Sequence, residues 1–367
     1  MLKKCDCYVE SVECRVSSIC ADIKQKRTLP SVSELSAEHI IHKFAVMCAD
    51  KNLYIGVDLG GTNAKAGVIT LEGELVCRKD LPITDLEENA VAERLVECIR
   101  EALKSCNHTL SEVACIGVGS PGGIRDGLVT SAANFPLWKD VPLAQMIKDR
   151  CEGVTTILAN DADAAIAAEV WVGAVKKHGA RNMAMWTLGT GVGFGVVIEG
   201  AVVKGYSGLI EGGHAIVVPD GDLCGCSQKG CIEMYVSASN VARIAKEAAR
   251  KPGAKSCLPV GDFGSYEVFQ AAAKGDEVAN AAIDQAADKL GMMSVNVSRF
   301  LDVELIVFAG GMTKAGDILL EKIQTAFDKY TWTKLPNNAK LVYAEVGEDS
   351  GVIGAGAMAK LHVTGEI

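Results

Sequence analysis

Two stretches of this chain share one grammar of short β-rich runs broken by glycine turns, and that duplication restricts the fold more than any other feature. From Leu53 the runs LYIGVDLG, AKAGVIT and ELVCRKDL follow one another, separated by Gly-Gly-Thr-Asn and Glu-Gly turns. Three consecutive strands joined by turns read as an antiparallel meander. A helical stripe of Val91, Leu95, Ile99 and Leu103 over Leu86–Cys106 comes next, then the apolar strand VACIGVG at 113–119. The grammar returns with strands at 182–189 and 192–198, helices at about 239–249 and 264–274, and the long stripe Ala279, Ile283, Ala286, Leu290, Met293, Val297. That stripe feeds the strand LIVFAGG at 305–311. Two halves of like βββα(β) order, each opening with a Gly-rich turn between strands, predict a duplicated α/β architecture with a cleft between lobes.

Length and charge agree with a bilobal globular protein. The 367 residues allow two domains or one two-lobed unit, and 49% hydrophobic with 23% charged residues excludes disorder, collagen and coiled coil. The net charge of −9, with no run of Lys and Arg, leaves no electrostatic footprint for nucleic acid or an anionic membrane. Asp6 and Glu10 interrupt the start MLKKCDCYVE, which therefore does not read as a signal peptide. No window holds the ~18 apolar residues of a spanning helix. A cytoplasmic, reducing location is expected, since 14 cysteines in a chain with its own core suggest free thiols and metal ligands. Residues 1–50, with Cys5, Cys7, Cys14 and Cys20 and a helix predicted over Ser33–Cys48, read as an extension of unknown role.

Three glycine segments fall at strand ends. Asp58-Leu59-Gly60-Gly61-Thr62-Asn63, with Lys65 beside it, can turn backbone N–H groups and Thr62 toward phosphate oxygens, and Asp58 could hold Mg²⁺ through water. Such a turn is equally an ordinary hairpin connection. Gly189-Thr190-Gly191-Val192-Gly193-Phe194-Gly195 has glycines where a backbone would approach a charged ligand, and is neither a Walker A loop nor a Rossmann fingerprint. Ala309-Gly310-Gly311-Met312 ends a buried strand ahead of a helix predicted over Ala315–Tyr330, a common ligand position in α/β sheets.

Asn160-Asp161-Ala162-Asp163 closes the strand VTTILA ahead of a helix predicted over Ala164–Val175. Two carboxylates and an Asn exceed what a helix cap needs, and a phosphotransferase acting on an alcohol needs one carboxylate to accept the hydroxyl proton; Asp161 is the candidate base. His214, Cys224, Cys226 and Cys231 place one imidazole and three thiols within an eighteen-residue window, a ligand set that tetrahedral zinc takes. Four protein ligands leave no open position, so such a zinc is structural, and free thiols are the alternative reading. Glu211 and Glu233 flank the cluster and would be held rigidly by it, as recognition of vicinal sugar hydroxyls requires.

The ordered set GVDLGGTNAKAGV, GSPGGI, NFPLWKDVPL, NDADAA, GTGVGFG, EGGH with CGCSQKGCIE, and FAGGM resembles the ROK family of sugar kinases and repressors over about 52–361. The resemblance implies a two-lobe actin-like (ribonuclease H-like) ATPase fold, a homodimer or dimer of dimers, in which ATP and a hexose meet in the interlobe cleft. It implies a smaller lobe of 52–160 plus 350–367 and a larger lobe of 161–349 carrying the zinc loop. By position, Asp161 resembles the catalytic base and Asn160 its hydroxyl-binding neighbour. Glu211, His214 and Glu233 resemble sugar ligands, with His214 serving zinc through one nitrogen and the sugar through the other. Gly123 and Asn134 resemble residues that close on the sugar. Asp58, Gly60, Gly61, Thr62, Asn63, Lys65 and the Gly189, Thr190, Gly191, Gly193 turn resemble the phosphate side of the ATP site, and Gly310 and Gly311 the adenosine side. Ser227 stands where the zinc loop usually has Gly, Phe194 interrupts the usual glycine run, and Ala309 precedes only two glycines.

Repressor members add an N-terminal winged helix, and residues 1–50 are too short and too poor in clustered Arg and Lys for one. The kinase reading is therefore expected, with MgATP as donor and structural zinc. GSPGGI and NFPLWKDVPL look most like the glucokinases, so phosphorylation of glucose on its 6-hydroxyl is expected, with an N-acetylmannosamine or N-acetylglucosamine kinase as the alternative and a sugar sensor as a further one.

Overall fold

Strand β1 (Leu53–Leu59) is buried along nearly its whole length, which marks it as central in a sheet. In the computed structural model, which describes residues 51–132, 134–205, 210–334 and 337–367, β2 (Asn63–Thr70) pairs antiparallel with β1 and β3 (Leu75–Pro82) antiparallel with β2. The alternating exposure of β3 is that of an edge strand. Helix α1 (Glu88–Ser105) buries Val91, Leu95, Ile99 and Leu103, the predicted stripe, and starts at Glu88 because the Glu87 carboxylate caps the N–H groups of Asn89 and Ala90. Strand β4 (Val113–Ser120) is wholly buried and runs parallel to β1. A hairpin of β5 (Gly123–Arg125) and β6 (Leu128–Ser131) follows, then helix α2 (Leu143–Arg150). Strand β7 (Thr156–Asn160) completes a sheet of order β3-β2-β1-β4-β7.

Helices α3 (Asp161–Trp171) and α4 (Ala174–His178) carry the chain into a second sheet. Its strands β8 (Met183–Leu188), β9 (Val192–Ile198) and β10 (Ala201–Val202) form an antiparallel meander. Helices α5 (Glu233–Val236), α6 (Ala238–Ala249), α7 (Ser265–Ala273) and α8 (Glu277–Leu301) precede β11 (Leu305–Ala309), which runs parallel to β8. Helix α9 (Asp317–Tyr330) then leads to β12 (Lys340–Tyr343), parallel to β11. The order β10-β9-β8-β11-β12 repeats that of the first sheet. The duplicated grammar is thus realised as two sheets of one topology, each with its own buried cluster.

The last helix, α10 (Ser350–Thr364), returns to the first sheet. A Cβ on Gly56 of β1 would stand 1.8 Å from the carbonyl oxygen of Val352, and one on Gly117 of β4 would stand 1.9 Å from that of Ala355. Only glycine lets this helix lie directly on the strands.

Two predicted helices shift. The helix expected over Ala164–Val175 begins at Asp161 and stops at Trp171, because the Asn160 side chain caps its start and Glu169 draws the Ala174 N–H into a second helix. The helix expected from Ala315 begins at Asp317, since Gly311–Ala315 forms a 3₁₀ turn ended by Gly316 at φ 74°. Strand β12 and the β5–β6 hairpin, short and only partly buried, carried no alternation long enough to read. The helix predicted over Ser33–Cys48 and the cysteines at 5, 7, 14 and 20 lie outside the described residues. Among the described residues no helix is long and apolar enough to cross a membrane.

Candidate active site

The corner between β7 and α3 delivers Asn160 and Asp161 at the C-terminal end of a parallel strand, where ligands of α/β sheets gather. Asn160 works in two directions. Its Oδ1 accepts the Ala162 N–H at 2.9 Å, and its Nδ2 donates to the carbonyl of Gly122 at 3.1 Å, pinning the turn after β4. Asp161 Oδ1 also accepts the Ala162 N–H, at 2.8 Å. Both residues line a cavity of about 290 Å³ together with Gly122, Gly123, Asp163, Gly193, Phe194 and Glu211. Residues 122–123 and 160–163 follow strands of the first sheet while 193–194 lie on β9 of the second, so the cavity belongs to both lobes.

Charge is concentrated there. Asp161 reaches solvent through the cavity but is crowded by protein, and this burial raises its carboxyl above the ordinary aspartate range. The Ala162 N–H opposes the rise, and the negative charges of Asp58 and Glu211 add to it. Asp163 is raised as well, chiefly by burial, with Lys204 opposing. A carboxylate whose proton affinity is raised in a cleft is suited to accept a proton from an alcohol.

Of the three glycine turns at strand ends, the second lines this cavity through Gly193 and Phe194. In the first, the Gly60 N–H bonds to the Asn63 carbonyl at 2.9 Å, the Ile83 N–H bonds to the Thr62 carbonyl at 2.8 Å, and Lys65 Nζ pairs with Asp58 Oδ2 at 3.2 Å. A Cβ on Gly61 would lie 3.2 Å from the Asn134 side chain. The structure thus sets Asn134 against the first glycine turn. In the second turn the Gly189 N–H bonds to the Gly191 carbonyl at 3.0 Å and Ser239 Oγ donates to the Thr190 carbonyl at 2.9 Å. Gly193 N–H is held by Thr187 Oγ1 at 3.0 Å. Gly310, at φ 94°, abuts the backbone of Leu188, while Gly311 stands open. Asp58 also meets the start of α10, since a Cβ on Gly351 would lie 2.7 Å from its Cγ.

Behind the cavity, the side chains of His214, Cys224, Cys226 and Cys231 offer ligand atoms all within 4.8 Å of one another, a group that could hold a metal ion. Cys224 Sγ lies 3.6 Å from His214 Nδ1, and Cys226 Sγ lies 3.6 Å from Cys231 Sγ. Gln228 Nε2 donates to the His214 carbonyl at 2.6 Å and to Cys231 Sγ at 3.2 Å, closing the loop around them. Burial pushes the Cys224 thiol up to about 12, whereas the Gln228 backbone N–H draws Cys226 down. Glu233 joins this loop to the second glycine turn: its Oε2 accepts the Val192 N–H at 2.9 Å and its Oε1 lies 3.7 Å from Cys224 Sγ.

A model of the ROK family matches residues 54–362. The chain belongs to the ROK family. It is 35% identical over 316 residues to the glucokinase of Halalkalibacterium halodurans, a match covering 84% of this chain and 94% of that one. Its ROK fold superposes with TM-score 0.74 on a ROK hexokinase from Thermus thermophilus, at 30% identity, covering 85% and 99% of the two chains. A ROK family glucokinase from Streptomyces griseus, solved in complex with glucose and AMPPNP, gives TM-score 0.68 at 31% identity, covering 84% and 99%. The protein therefore has the two-lobe actin-like fold of ROK sugar kinases.

Within the ROK framework, Gly123, Asn160, Asp161 and Glu211 are the expected sugar-site residues that line the cavity. His214 and Glu233 stand in the metal loop behind Glu211. Two of the noted departures from the family pattern have a physical place. Ser227 holds a left-handed φ of 73°, the conformation for which the family's usual glycine is suited. Phe194 lines the cavity and packs on Trp186, ring centroids 4.4 Å apart. Sequence reading left Asp163 and Phe194 without a role; a second carboxylate within the first turn of α3 was the available signal for Asp163.

Proposed function

We propose that the protein is an ATP-dependent glucokinase, transferring the γ-phosphoryl group of ATP to the 6-hydroxyl of D-glucose. The observation that carries this reading is Asp161, a carboxylate of raised proton affinity at the mouth of a cavity shared by both lobes. Support for the sugar comes from the relatives named glucokinase and from the glucose complex of a neighbour 31% identical. Residues 52–160 with 350–367 form one lobe and 161–349 the other, a division supported by the packing of α10 on β1 and β4.

Glucose lies in the cavity with its hydroxyls bonded by Asn160 and Glu211. Asp161 takes the proton of the 6-hydroxyl while that oxygen attacks the γ-phosphorus and the bond to the β-phosphate oxygen breaks in line. Backbone N–H groups of Gly61 and Thr62 in the first turn and of Thr190 and Gly191 in the second face the phosphates, with Asn63 and Lys65 beside them, and Gly310 and Gly311 leave room for adenosine. Asp58 would hold the Mg²⁺ that ATP brings, through water, and the ion would supply neutralisation of the developing phosphate charge. The His214, Cys224, Cys226, Cys231 set fits zinc: bonds of about 2.3 Å to sulfur and about 2.0 Å to nitrogen in a tetrahedron require ligand atoms about 3.5–3.8 Å apart, against 3.6 Å for two of the pairs. These four residues would complete a tetrahedral shell, and their task would be to hold the Glu211–Glu233 segment, with His214 Nε2 left for a sugar hydroxyl.

A coupled ADP-release assay with MgATP against glucose, N-acetylmannosamine, N-acetylglucosamine and fructose tests the reading. Glucose is expected to give the highest kcat/KM; an N-acetylhexosamine ahead of it would refute the substrate and keep the base.

A further inference from the structure

Glu169 lies eight residues beyond Asp161 on α3 and is only 1% exposed. A buried carboxylate is costly unless its oxygens are bonded. Here backbone N–H groups from two distant segments bond it. Oε2 accepts the Ala174 N–H at 2.7 Å, both oxygens share the Glu345 N–H at 3.1 Å, and Oε1 accepts the Val346 N–H at 3.0 Å. Ala174 opens α4 on the path from the first sheet to the second. Glu345 and Val346 lie between β12 and α10, on the path back. The bend between α3 and α4 is fitted to this carboxylate, since a Cβ on Gly173 would stand 2.2 Å from Glu169 Oε2. Lys177 of α4 adds an exposed tie to Glu345 at 2.7 Å.

We propose that Glu169 is a positioning residue for phosphoryl transfer: it fastens the two interlobe crossings at one pivot, so that lobe closure on the sugar carries α3 and Asp161 as one body. The inference rests on the kinase reading. A carboxylate suits the task because both oxygens only accept, and the donors number three from two directions. A glutamine at this place turns its amide N–H₂ toward at least one backbone N–H, and no orientation satisfies all three. Glu169 is not among the residues that line the cavity, so its loss leaves the sugar's own contacts in place and acts first on the alignment of the γ-phosphoryl group.

The test compares the full-length wild type, Glu169→Gln and Gly173→Ala, the second displacing the carboxylate by a methyl group. Thermal unfolding, kcat with MgATP and glucose well below each Tm, glucose Kd by calorimetry, and the glucose-induced decrease in radius of gyration by solution scattering are measured together. Both variants are expected to lose at least tenfold in kcat and at least half of the compaction, with glucose Kd within threefold of wild type. A folded variant that keeps wild-type kcat and compaction while its Tm falls makes Glu169 a stability staple and overturns the proposal. Failure of both variants to fold overturns it too, since Glu169 is then required for folding. A wild type silent on every sugar sinks the kinase reading and the pivot with it, whereas active wild type with unaltered variants sinks the pivot alone.

Discussion

The Phe194 ring fills the space that a side chain on residue 212 would need: a Cβ on Gly212 would stand 2.5 Å from Phe194 Cγ. Phe194 is seated on Trp186, itself fully buried in the core of the second lobe, so the ring cannot retreat without disturbing that core. The turn Gly212–His214 therefore rests directly on Phe194, with Glu211 entering it and His214 leaving it toward the cysteines.

This contact predicts a rescue. Gly212→Ala pushes the turn off the ring and should raise the glucose KM at least tenfold with a smaller change in kcat. Adding Phe194→Ala removes the ring and leaves only the Phe194 Cβ, 2.7 Å from the added methyl, so it should recover part of the lost KM, as steady-state kinetics of the two single variants and the double variant will show. Simple additivity of the two losses would contradict the packing argument.

The raised proton affinity of Asp161 makes two statements about pH. As base it must be deprotonated, so the acid limb of the kcat/KM profile should lie above the ordinary aspartate value of about 3.9 and vanish in Asp161→Asn. In the unfolded chain the same group titrates at its ordinary value, so the folded state holds the proton more tightly. The resulting penalty on stability is absent below the unfolded pKa, grows as pH rises through the folded one, and is complete above it. Asp161→Asn should accordingly raise Tm at pH 7 and leave it unchanged near pH 3; a fall in Tm at pH 7 would contradict the cause assigned to the shift.

Metal removal should act on structure before chemistry. Purified protein should carry about one zinc per chain by elemental analysis, and Cys226→Ser should lose the metal, lower Tm by at least about 5 °C and raise the glucose KM. Metal-free protein with unaltered Tm and KM would remove zinc from the account.

Ser227 keeps a left-handed backbone at φ 73°, its N–H bonded to the Cys224 carbonyl at 2.9 Å in the tight turn between ligands. The Cβ there costs about 1 kcal/mol, partly offset by the greater chain entropy of glycine. Ser227→Gly should therefore stabilise the protein by a few tenths to about 1 kcal/mol in denaturant unfolding, without changing kcat.

What the chain's letters disclosed depended on how locally each feature is encoded. The central strands β1, β4, β8 and β11 are continuous apolar runs, and the His and three Cys that cluster in space fall within one short window, so both were legible without distant neighbours. Asp161 announced itself as more carboxylate than a cap needs. Glu169 gave no such sign: its partners Glu345 and Val346 stand 176 and 177 residues away, and on α3 alone it reads as an ordinary helical glutamate. The break after Trp171 was hidden although its cause is local, because nothing in the sequence marks the Glu169 side chain as the acceptor for the Ala174 N–H that starts α4. Likewise the seat of Asn134 against Gly61 depends on a loop folding back onto the first glycine turn, which no periodicity encodes.

The most direct test of the central claim is glucose 6-phosphate formation from MgATP and glucose by wild type and Asp161→Asn, with glucose binding measured on both by calorimetry. The account predicts robust turnover by wild type, a loss of about 10²–10⁴ in kcat for the variant, and glucose affinity retained within about tenfold. Comparable turnover by the two proteins, or no glucose 6-phosphate from a wild type that binds glucose, would contradict it.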